Sequence, residues 1–343
     1  MHARPADANR LIPASAARGR SIKEQSPKTM FSKTYFANSD PGISHCHAPS
    51  IYQVASGSML IVWYAYPSIE TERGILLMVR RAPDSREWGA PRRILSELNG
   101  TLANPVLFED ADGVLWLMFV TLRGHYWDSA VLMAACSTDE GETWSTPHTV
   151  INVPGMMVRH PALMRGDRSV ILPAYDERSN ETVLLSYSPH TSVWTEYFRF
   201  AACKAIQACL VGVSIRKWIM ILRPTGEQRA CLRAISNDEG QTWSQIIQTS
   251  LPNPLSCIAA FQSGEELCVD HNHTTKHQRY PLSMCCSRDQ GVSWSQPVHI
   301  DEAEHEVSYP SFLVDRSGLV HGAYTYDRRR IKYVCFDNSW WRQ

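Results

Sequence analysis

The chain has 343 residues, and its 34 basic side chains balance 34 acidic ones, so the formal net charge is zero. A neutral balance predicts neither a nucleic-acid nor a membrane partner, because both partners attract basic protein surfaces. No apolar run approaches the length of a membrane span. The ten cysteines are diluted over a large chain and mostly lie inside apolar runs. This predicts buried free thiols, at Cys136, Cys209, Cys231, Cys257 and Cys335 among others, rather than a disulfide scaffold.

The amino-terminal segment is polar as far as about Lys28 and lacks the continuous apolar stretch of a secretory signal. We expect residues 1–29 to be disordered and the protein to be cytoplasmic. Residues 30–343 are expected to form one domain, because all-β folds run longer as a single unit than mixed folds. Translation could also begin at Met30, which directly precedes the first predicted strand.

From there on the chain consists of short runs in which apolar and polar residues alternate. These runs are rich in Val, Ile, Leu, Tyr and Trp, as at residues 58–64, 114–119, 217–222 and 319–324. Period and composition both predict β-strands. No window carries a sustained apolar stripe of helical period, so the fold class is predicted to be all-β.

A short pattern, S-x-D-x-G-x-[ST]-W, occurs at residues 137–144, 236–243 and 287–294. Its Asp can bond the backbone that follows, its Gly allows a positive φ, and its Trp can cover the turn, so it predicts a hairpin turn. We therefore interpret Asp139, Asp238 and Asp289 as structural rather than catalytic.

The tryptophans of this pattern give the repeat period. Trp144 and Trp243 are about 100 residues apart, and Trp243 and Trp294 about 50, which is the range of propeller blades. Degenerate copies end at Trp88 and Trp194, and the residues from Glu306 onwards supply one more repeat. The sequence predicts a six-bladed β-propeller, in which a strand near residues 330–336 pairs with one near residues 31–35 to close the ring.

Polar residues head short apolar runs at equivalent positions of the repeat. In a propeller these innermost strands converge at one mouth of the central channel, so their side chains are expected to meet. A water-filled polar channel is the alternative to a binding site. In chain order the residues are His47, Asn104, Arg159, Gln207, Ser256 and Tyr309.

Arg223 and Arg279 lie at the ends of neighbouring strand segments and are expected to join this ring. Guanidinium groups that converge on one point suit a bidentate carboxylate, and surface ion pairs are the alternative. The run of arginines at residues 327–330 is interpreted as exposed charge.

Residues 270–277 contain His271, Asn272, His273 and His277. In a strand His271 and His273 would share one face, which suggests a metal site. A fourth ligand with clear spacing is missing, and sugar sites also use His and Asn. We therefore expect no metal and no cofactor, and assign Asn272 to substrate binding.

The repeated turns resemble the Asp boxes of the sialidase superfamily. Over roughly residues 30–336 the chain is also similar to one branch, the predicted neuraminidase (sialidase-like) family. Five motifs carry this resemblance: His-Ala at 47–48, Asn-Pro-Val-Leu-Phe at 104–108, Leu-Pro-Asn-Pro at 251–254, Glu-x-Ser-Tyr-Pro at 306–310 and Tyr-Thr-Tyr-x-Arg-Arg-x-Ile-Lys at 324–332.

The resemblance implies that three arginines hold a sialate carboxylate, that a tyrosine attacks the sugar, and that a glutamate and an aspartate move protons. Arg223 and Arg279 match the second and third arginines, and Tyr309 matches the nucleophile. His47 stands where the first arginine is expected, and Gln207 stands at the glutamate. The aspartate has no clear equivalent, the nearest carboxylates being Glu70 and Glu72. The catalytic set is thus predicted as His47, Gln207, Glu306 and Tyr309, and the substrate-binding set as Asn104, Arg159, Arg223, Asn272 and Arg279.

The function implied is that of an exo-glycosidase acting on a terminal acidic, sialic-acid-like sugar. Its expected partner is an acidic oligosaccharide or glycoconjugate, and the protein is expected to be a monomer. One alternative is a polysaccharide lyase that cleaves next to a uronic acid, of the rhamnosyl-glucuronate type. A second alternative is a glycan-binding propeller without catalysis.

Overall fold

The computed structural model describes residues 32–37, 42–98 and 100–342. The predicted disordered segment, residues 1–29, lies outside these ranges. Within them the only helix is a 3-10 turn at Trp127–Ser129, and no helix there is long and apolar enough to cross a membrane. All other regular structure is antiparallel β-sheet.

The strands form six sheets, arranged as the blades of a propeller. Strand β1 (Ser32–Ala37) comes first. Blade 1 is β2 (His45–Gln53), β3 (Met59–Tyr66), β4 (Ile75–Arg81) and β5 (Arg92–Ile94). Blade 2 is β6 (Thr101–Glu109), β7 (Leu115–Leu122), β8 (Ala130–Ser137) and β9 (His148–Ile151). Blade 3 is β10 (Met156–Val158), β11 (Leu163–Met164), β12 (Val170–Asp176), β13 (Glu181–Ser188) and β14 (Val193–Phe200).

Blade 4 is β15 (Ala205–Gly212), β16 (Trp218–Pro224), β17 (Ala230–Ser236) and β18 (Ile247–Pro252). Blade 5 is β19 (Ala259–Ser263), β20 (Glu266–Asn272), β21 (Leu282–Ser287) and β22 (Val298–Asp301). Blade 6 is β23 (Val307–Val314), β24 (Val320–Tyr326) and β25 (Arg330–Phe336). The first strands of neighbouring blades contact one another around the axis.

Strand β1, the first of the described strands, completes blade 6. Strand β1 pairs with β25, in a register that runs from Ser32 opposite Cys335 to Ala37 opposite Arg330. This confirms the predicted ring closure, and it covers what would otherwise be the exposed edge of β25.

The repeated turns follow the third strands of blades 2, 4 and 5, as predicted. In the first of them Asp139 accepts hydrogen bonds from the backbone N–H of Thr143 at 2.9 Å and from its hydroxyl at 2.5 Å. Gly141 has a φ of 88°. A Cβ added there would lie 3.4 Å from the ring of Trp144, so the tryptophan packs directly on the turn. These bonds, led by the one from the Thr143 hydroxyl, lower the pKa of Asp139 to about 2.

The cysteine prediction was partly wrong. Cys268 in β20 and Cys286 in β21 stand opposite each other and form a disulfide. The spacing of these two residues does not reveal the pairing, which depends on the register of adjacent strands. The other eight cysteines form no disulfide, and the five named from the sequence are buried or half-buried.

Candidate active site

A β-bulge at the start of the innermost strand recurs in four blades and aims side chains at the channel mouth. In blades 1, 2, 4 and 6 the pairing of the first strand shifts register where one residue takes a positive φ. These residues are Ala48 (49°), Asn104 (47°), Gln207 (52°) and Tyr309 (55°). A left-handed conformation is strained for residues other than glycine and is concentrated at functional sites.

The bulges surround a cavity of about 210 Å³ at this end of the propeller. The Asp-box turns lie at the opposite end, because they follow strands that run away from the cavity. The cavity is lined by Tyr64, Glu70, Asn104, Trp127, Met157, Tyr175, Glu177, Ile206, Gln207, Arg223, Arg279, Tyr309 and Arg328.

Tyr309 is half-buried and surrounded by cations. Its hydroxyl oxygen lies 3.3 Å from Nη1 of Arg223, which also donates to Oε1 of Gln207 at 3.1 Å. The guanidinium of Arg279 lies 5.4 Å from the centre of the tyrosine ring. No carboxylate of the described residues accepts a hydrogen bond from the hydroxyl of Tyr309. Arg223, Gln207, Arg279 and Tyr309, which the sequence analysis expected to meet, all line this cavity.

His47 packs against Tyr309, with 4.1 Å between the ring centres. It is 1% exposed, and its Nδ1 atom lies 2.9 Å from the hydroxyl of Thr325. Burial, followed by the charge of nearby Arg328, lowers its pKa well below the usual range. The imidazole is therefore neutral. It cannot supply the positive charge of the arginine whose place it takes.

A third guanidinium, that of Arg328, lines the cavity together with those of Arg223 and Arg279. The sequence interpretation of residues 327–330 as exposed was wrong for this residue, which follows β24 and takes a φ of 49°. Arg328 donates from Nη1 to Glu70 at 2.7 Å and from Nε to Glu306 at 2.8 Å. The left-handed turn after the strand, which the residue type does not reveal, directs it inward.

Glu306 supports the arginines and does not line the cavity. It accepts hydrogen bonds from Arg279 at 3.0 Å, from Arg328 at 2.8 Å and from Ser308 at 2.6 Å. Burial alone would raise its pKa, but the two arginines outweigh burial and the pKa is lowered. The prediction of a catalytic role is corrected to that of a carboxylate that positions Arg279 and Arg328.

Two other carboxyl groups do line the cavity. Glu70 accepts hydrogen bonds from Arg328 and from the hydroxyl of Tyr64. Glu177, which follows β12, makes no ion pair among the described residues, and burial raises its pKa despite the opposing charge of Arg223. Glu72 instead lines a cleft of about 750 Å³ between blades 1 and 2.

Two of the residues predicted to bind substrate do not line the cavity. Arg159 is 2% exposed and donates to the main-chain oxygens of Pro49 at 2.9 Å, Tyr309 at 2.8 Å and Pro310 at 3.0 Å. Asn272 is fully buried and donates to the main-chain oxygen of Val307 at 2.8 Å. Both side chains hold backbone behind the cavity. Polar residues near the axis can therefore face the core as well as the channel.

The sequence analysis missed Tyr64, Trp127, Tyr175 and Glu177. Tyr64 lies near the end of β3, Tyr175 near the end of β12 with Glu177 directly after that strand, and Arg223 near the end of β16. In blade 3, β12 is the second strand, because β10 and β11 both pair with it and together form an interrupted first strand. The end of a blade's second strand meets the start of its first strand, because the two are antiparallel. Applying that rule to every blade would have found three of the four.

Comparison with known proteins agrees with this architecture. Residues 57–321 match the family model for the BNR repeat-like domain. The chain belongs to this family, within the sialidase superfamily. A protein named "Sialidase" from Bacteroides fragilis strain YCH46 is 28% identical over 194 residues, which cover 50% of this chain and 34% of that protein. The chain thus spans about a third of this curated relative.

Solved sialidase structures share the fold. The NanB sialidase of Streptococcus pneumoniae superposes with a TM-score of 0.75 at 11% identity, covering 89% of this chain and 70% of that one. The intramolecular trans-sialidase of Ruminococcus gnavus, in complex with oseltamivir carboxylate, gives a TM-score of 0.74 at 14% identity, covering 90% and 97%. At these identities the likeness concerns the fold alone.

Proposed function

We propose that this protein is an exo-glycosidase that removes a terminal acidic sugar of the sialic-acid type from a glycan. The observation that carries the proposal is the convergence of Arg223, Arg279 and Arg328 on a small cavity that also contains Tyr309. Three guanidinium groups form a preorganised site for one carboxylate, because each offers fixed, charge-assisted donors.

Charge and size both support a small anionic ligand. Glu306 neutralises part of the charge of Arg279 and Arg328 and fixes the direction of both side chains. The limited volume favours one terminal sugar over an internal chain segment. Trp127 lines the cavity, with its ring 6.4 Å from that of Tyr64, and offers an apolar face to a sugar ring.

In the proposed reaction Tyr309 attacks the anomeric carbon while the bond to the leaving oxygen breaks. A phenol suits this task, because an anionic nucleophile would be repelled by the carboxylate of the substrate. As the phenolic oxygen bonds to carbon, its proton passes to solvent water, because the neutral amide of Gln207 cannot accept it. Glu177 gives its proton to the leaving oxygen, a role that a raised pKa favours. Water then attacks the anomeric carbon and gives a proton to the Glu177 carboxylate. The bond to Tyr309 breaks, and Arg223 stabilises the departing phenolate until it regains a proton from solvent.

One observation favours a second candidate, a lyase acting next to a uronic acid. Gln207 stands beside Arg223 where a hydrolase of this kind would use glutamate, and a neutral amide cannot take the proton of Tyr309. In a lyase the arginines would neutralise the uronate carboxylate, and Tyr309 or the neutral His47 would remove the adjacent proton.

The experiment that tests the proposal uses the purified protein with a sialoside and, separately, with a uronate-containing oligosaccharide. Release of the sialic acid that stops in Tyr309→Phe supports the hydrolase. Absorbance of an unsaturated product from the uronate overturns the hydrolase and supports the lyase. Tight binding without turnover of either compound overturns both and leaves a glycan-binding propeller.

A further inference from the structure

A cluster of nitrogen and sulfur ligands lies in blade 5, and none of its residues lines the cavity. His271 is in β20, His273 directly follows that strand, and Cys285 is in the neighbouring strand β21. Residues two apart in a strand point to the same side, so the two imidazoles face one another. One ligand atom from each of the three residues lies within 4.8 Å of the others.

We propose that His271, His273 and Cys285 bind a zinc ion. Imidazole nitrogen and thiolate sulfur are ligands that zinc prefers, in a tetrahedral arrangement. Bond lengths of about 2.0–2.1 Å to nitrogen and 2.3 Å to sulfur place tetrahedral ligand atoms about 3.3–3.6 Å apart. His271 Nε2 and His273 Nδ1 are 3.0 Å apart, and Cys285 Sγ lies 3.9 Å from the same Nδ1 atom. These two separations differ from the ideal values by a few tenths of an ångström, and no pair of the three ligand atoms is more than 4.8 Å apart.

The surroundings of the cluster favour a neutral, oriented histidine ligand. His271 is fully buried, and its Nδ1 atom faces the main-chain oxygen of Val269 at 3.4 Å. That contact turns Nε2 towards His273 and Cys285, in the manner of the outer partners of metal-bound histidines. Cys285 is also buried, whereas His273 is half-exposed and gives an ion a route from solvent.

The three residues leave a fourth tetrahedral position for water. His299, in β22, lies close by: it stands opposite Ser283, which in turn stands opposite His271. Its Nδ1 atom is 2.8 Å from the hydroxyl of Ser283. Binding converts the thiol of Cys285 to a thiolate and releases one proton to solvent.

The site would tie β20 to β21 at the end from which the chain continues to Arg279. The segment after His273 leads directly to this arginine, whose guanidinium lines the cavity. A metal at the cluster would therefore stabilise the base of an arginine-bearing loop. The proposal stands on the cluster alone and does not depend on which reaction the cavity performs.

The test is to strip the full chain with a chelator, dialyse it against Zn²⁺ or Co²⁺ without thiol reagents, and measure the bound metal. We expect one ion per chain, and for Co²⁺ a near-ultraviolet sulfur-to-cobalt charge-transfer band. Cys285→Ser should abolish the band and His273→Ala should weaken binding by at least ~100-fold. Cys136→Ser and His148→Ala, in blade 2, are matched controls and should bind as the wild type does.

Several outcomes would overturn the proposal. The stripped wild type binding no ion after dialysis is one, and a charge-transfer band that survives in Cys285→Ser is another. If Cys285→Ser fails to fold, as judged by circular dichroism, the test rests on His273→Ala. This variant removes a ligand with little loss of packing, because His273 is half-exposed. Equal affinity of His273→Ala and His148→Ala for Co²⁺ would then show that the cluster is not the site.

Discussion

Nη2 of Arg159, in blade 3, donates to the main-chain oxygen of Tyr309, in blade 6, at 2.8 Å. The same guanidinium bonds Pro49 in blade 1 and Pro310 in blade 6. One buried cation thus joins three blades across the axis, directly behind a tyrosine whose backbone is in the left-handed region. The left-handed backbone of Tyr309 is thus stabilised by hydrogen bonds from Arg159 of another blade as well as by the pairing of its own strand.

Replacing Arg159 with Met should lower the free energy of unfolding by about 2–4 kcal/mol, because it leaves buried carbonyl groups without donors. Urea denaturation measures this change. Arg165→Met is a control, because Arg165 is half-exposed, donates one side-chain hydrogen bond, from Nε to the main-chain oxygen of Glu239, and otherwise packs over the ring of Tyr197. Similar losses in the two variants would contradict the bracing role of Arg159.

Replacing Arg328 with Ala should weaken binding of an acidic monosaccharide by about 1.5–3 kcal/mol, the strength of a charge-assisted hydrogen bond. Calorimetry with the acidic sugar and its neutral amide separates lost charge recognition from lost packing. Affinity for the amide should change little. Arg330→Ala, from the same run of arginines but exposed, should bind as the wild type does. Unchanged affinity of Arg328→Ala for the acid would exclude Arg328 from recognition.

The substitution Gln207→Glu should affect the two candidate reactions in opposite directions. In a hydrolase it restores a proton acceptor near Tyr309 and should raise turnover of a sialoside. In a lyase the new carboxylate would repel the uronate and the developing negative charge, so turnover should fall. Initial rates on both substrates measure the sign. A fall in sialoside turnover would contradict the hydrolase.

The carboxyl group that donates the proton can be identified with a matched pair of variants, Glu177→Gln and Glu70→Gln. If Glu177 is the acid, its replacement should reduce kcat by about 10²–10⁴ for a sugar leaving group and much less for an activated aryl leaving group. Wild-type activity should fall as pH rises through the raised pKa of Glu177, since the acid must be protonated. This fall in activity at high pH should be absent in Glu177→Gln. Finding both effects in Glu70→Gln instead would transfer the role to Glu70.

The Asp-box turns should stabilise the fold near neutral pH and lose this effect in acid. The pKa of Asp139 and of Asp238 is lowered to about 2, chiefly by hydrogen bonds from the threonine four residues further on. A lowered pKa means that the stabilising effect is complete above the unfolded value of about 4 and is lost as pH falls towards 2. Melting temperatures of Asp238→Asn and wild type should therefore differ at pH 6 and converge towards pH 2. A constant difference would contradict this linkage.

The fold was predictable because its signals are local and repeated. Each Asp box specifies its own turn, and the spacing from Trp144 to Trp243 and Trp294 gives the blade period without any long-range information. Strand closure between β1 and β25 followed from the need to cover an edge. The register that brings Cys268 opposite Cys286 lacks such a signal and was missed.

The candidate site was predictable only in part. The position of Gln207 and Tyr309 at the channel mouth was predictable because each lies near the start of an innermost strand. Glu177 could have been predicted in the same way, because it follows the end of a second strand. Arg328, however, reaches the cavity through a left-handed turn, and Arg159 turns away from it to bond backbone carbonyls. Both are arginines near the axis. Their difference lies in backbone geometry and hydrogen-bond partners, which residue type does not encode.

Closure of blade 6 also constrains the order of events during synthesis. Strand β1 is made before all six blades, yet its partner β25 is made after every other described strand. The blade that they complete carries Tyr309 and ends in the turn that presents Arg328. A contact of such long range is formed slowly, because the intervening chain must first be ordered. A nascent chain that has not yet reached residue 336 therefore has an unclosed ring, and blade 6 can be completed around Tyr309 and Arg328 only after β25 has been made.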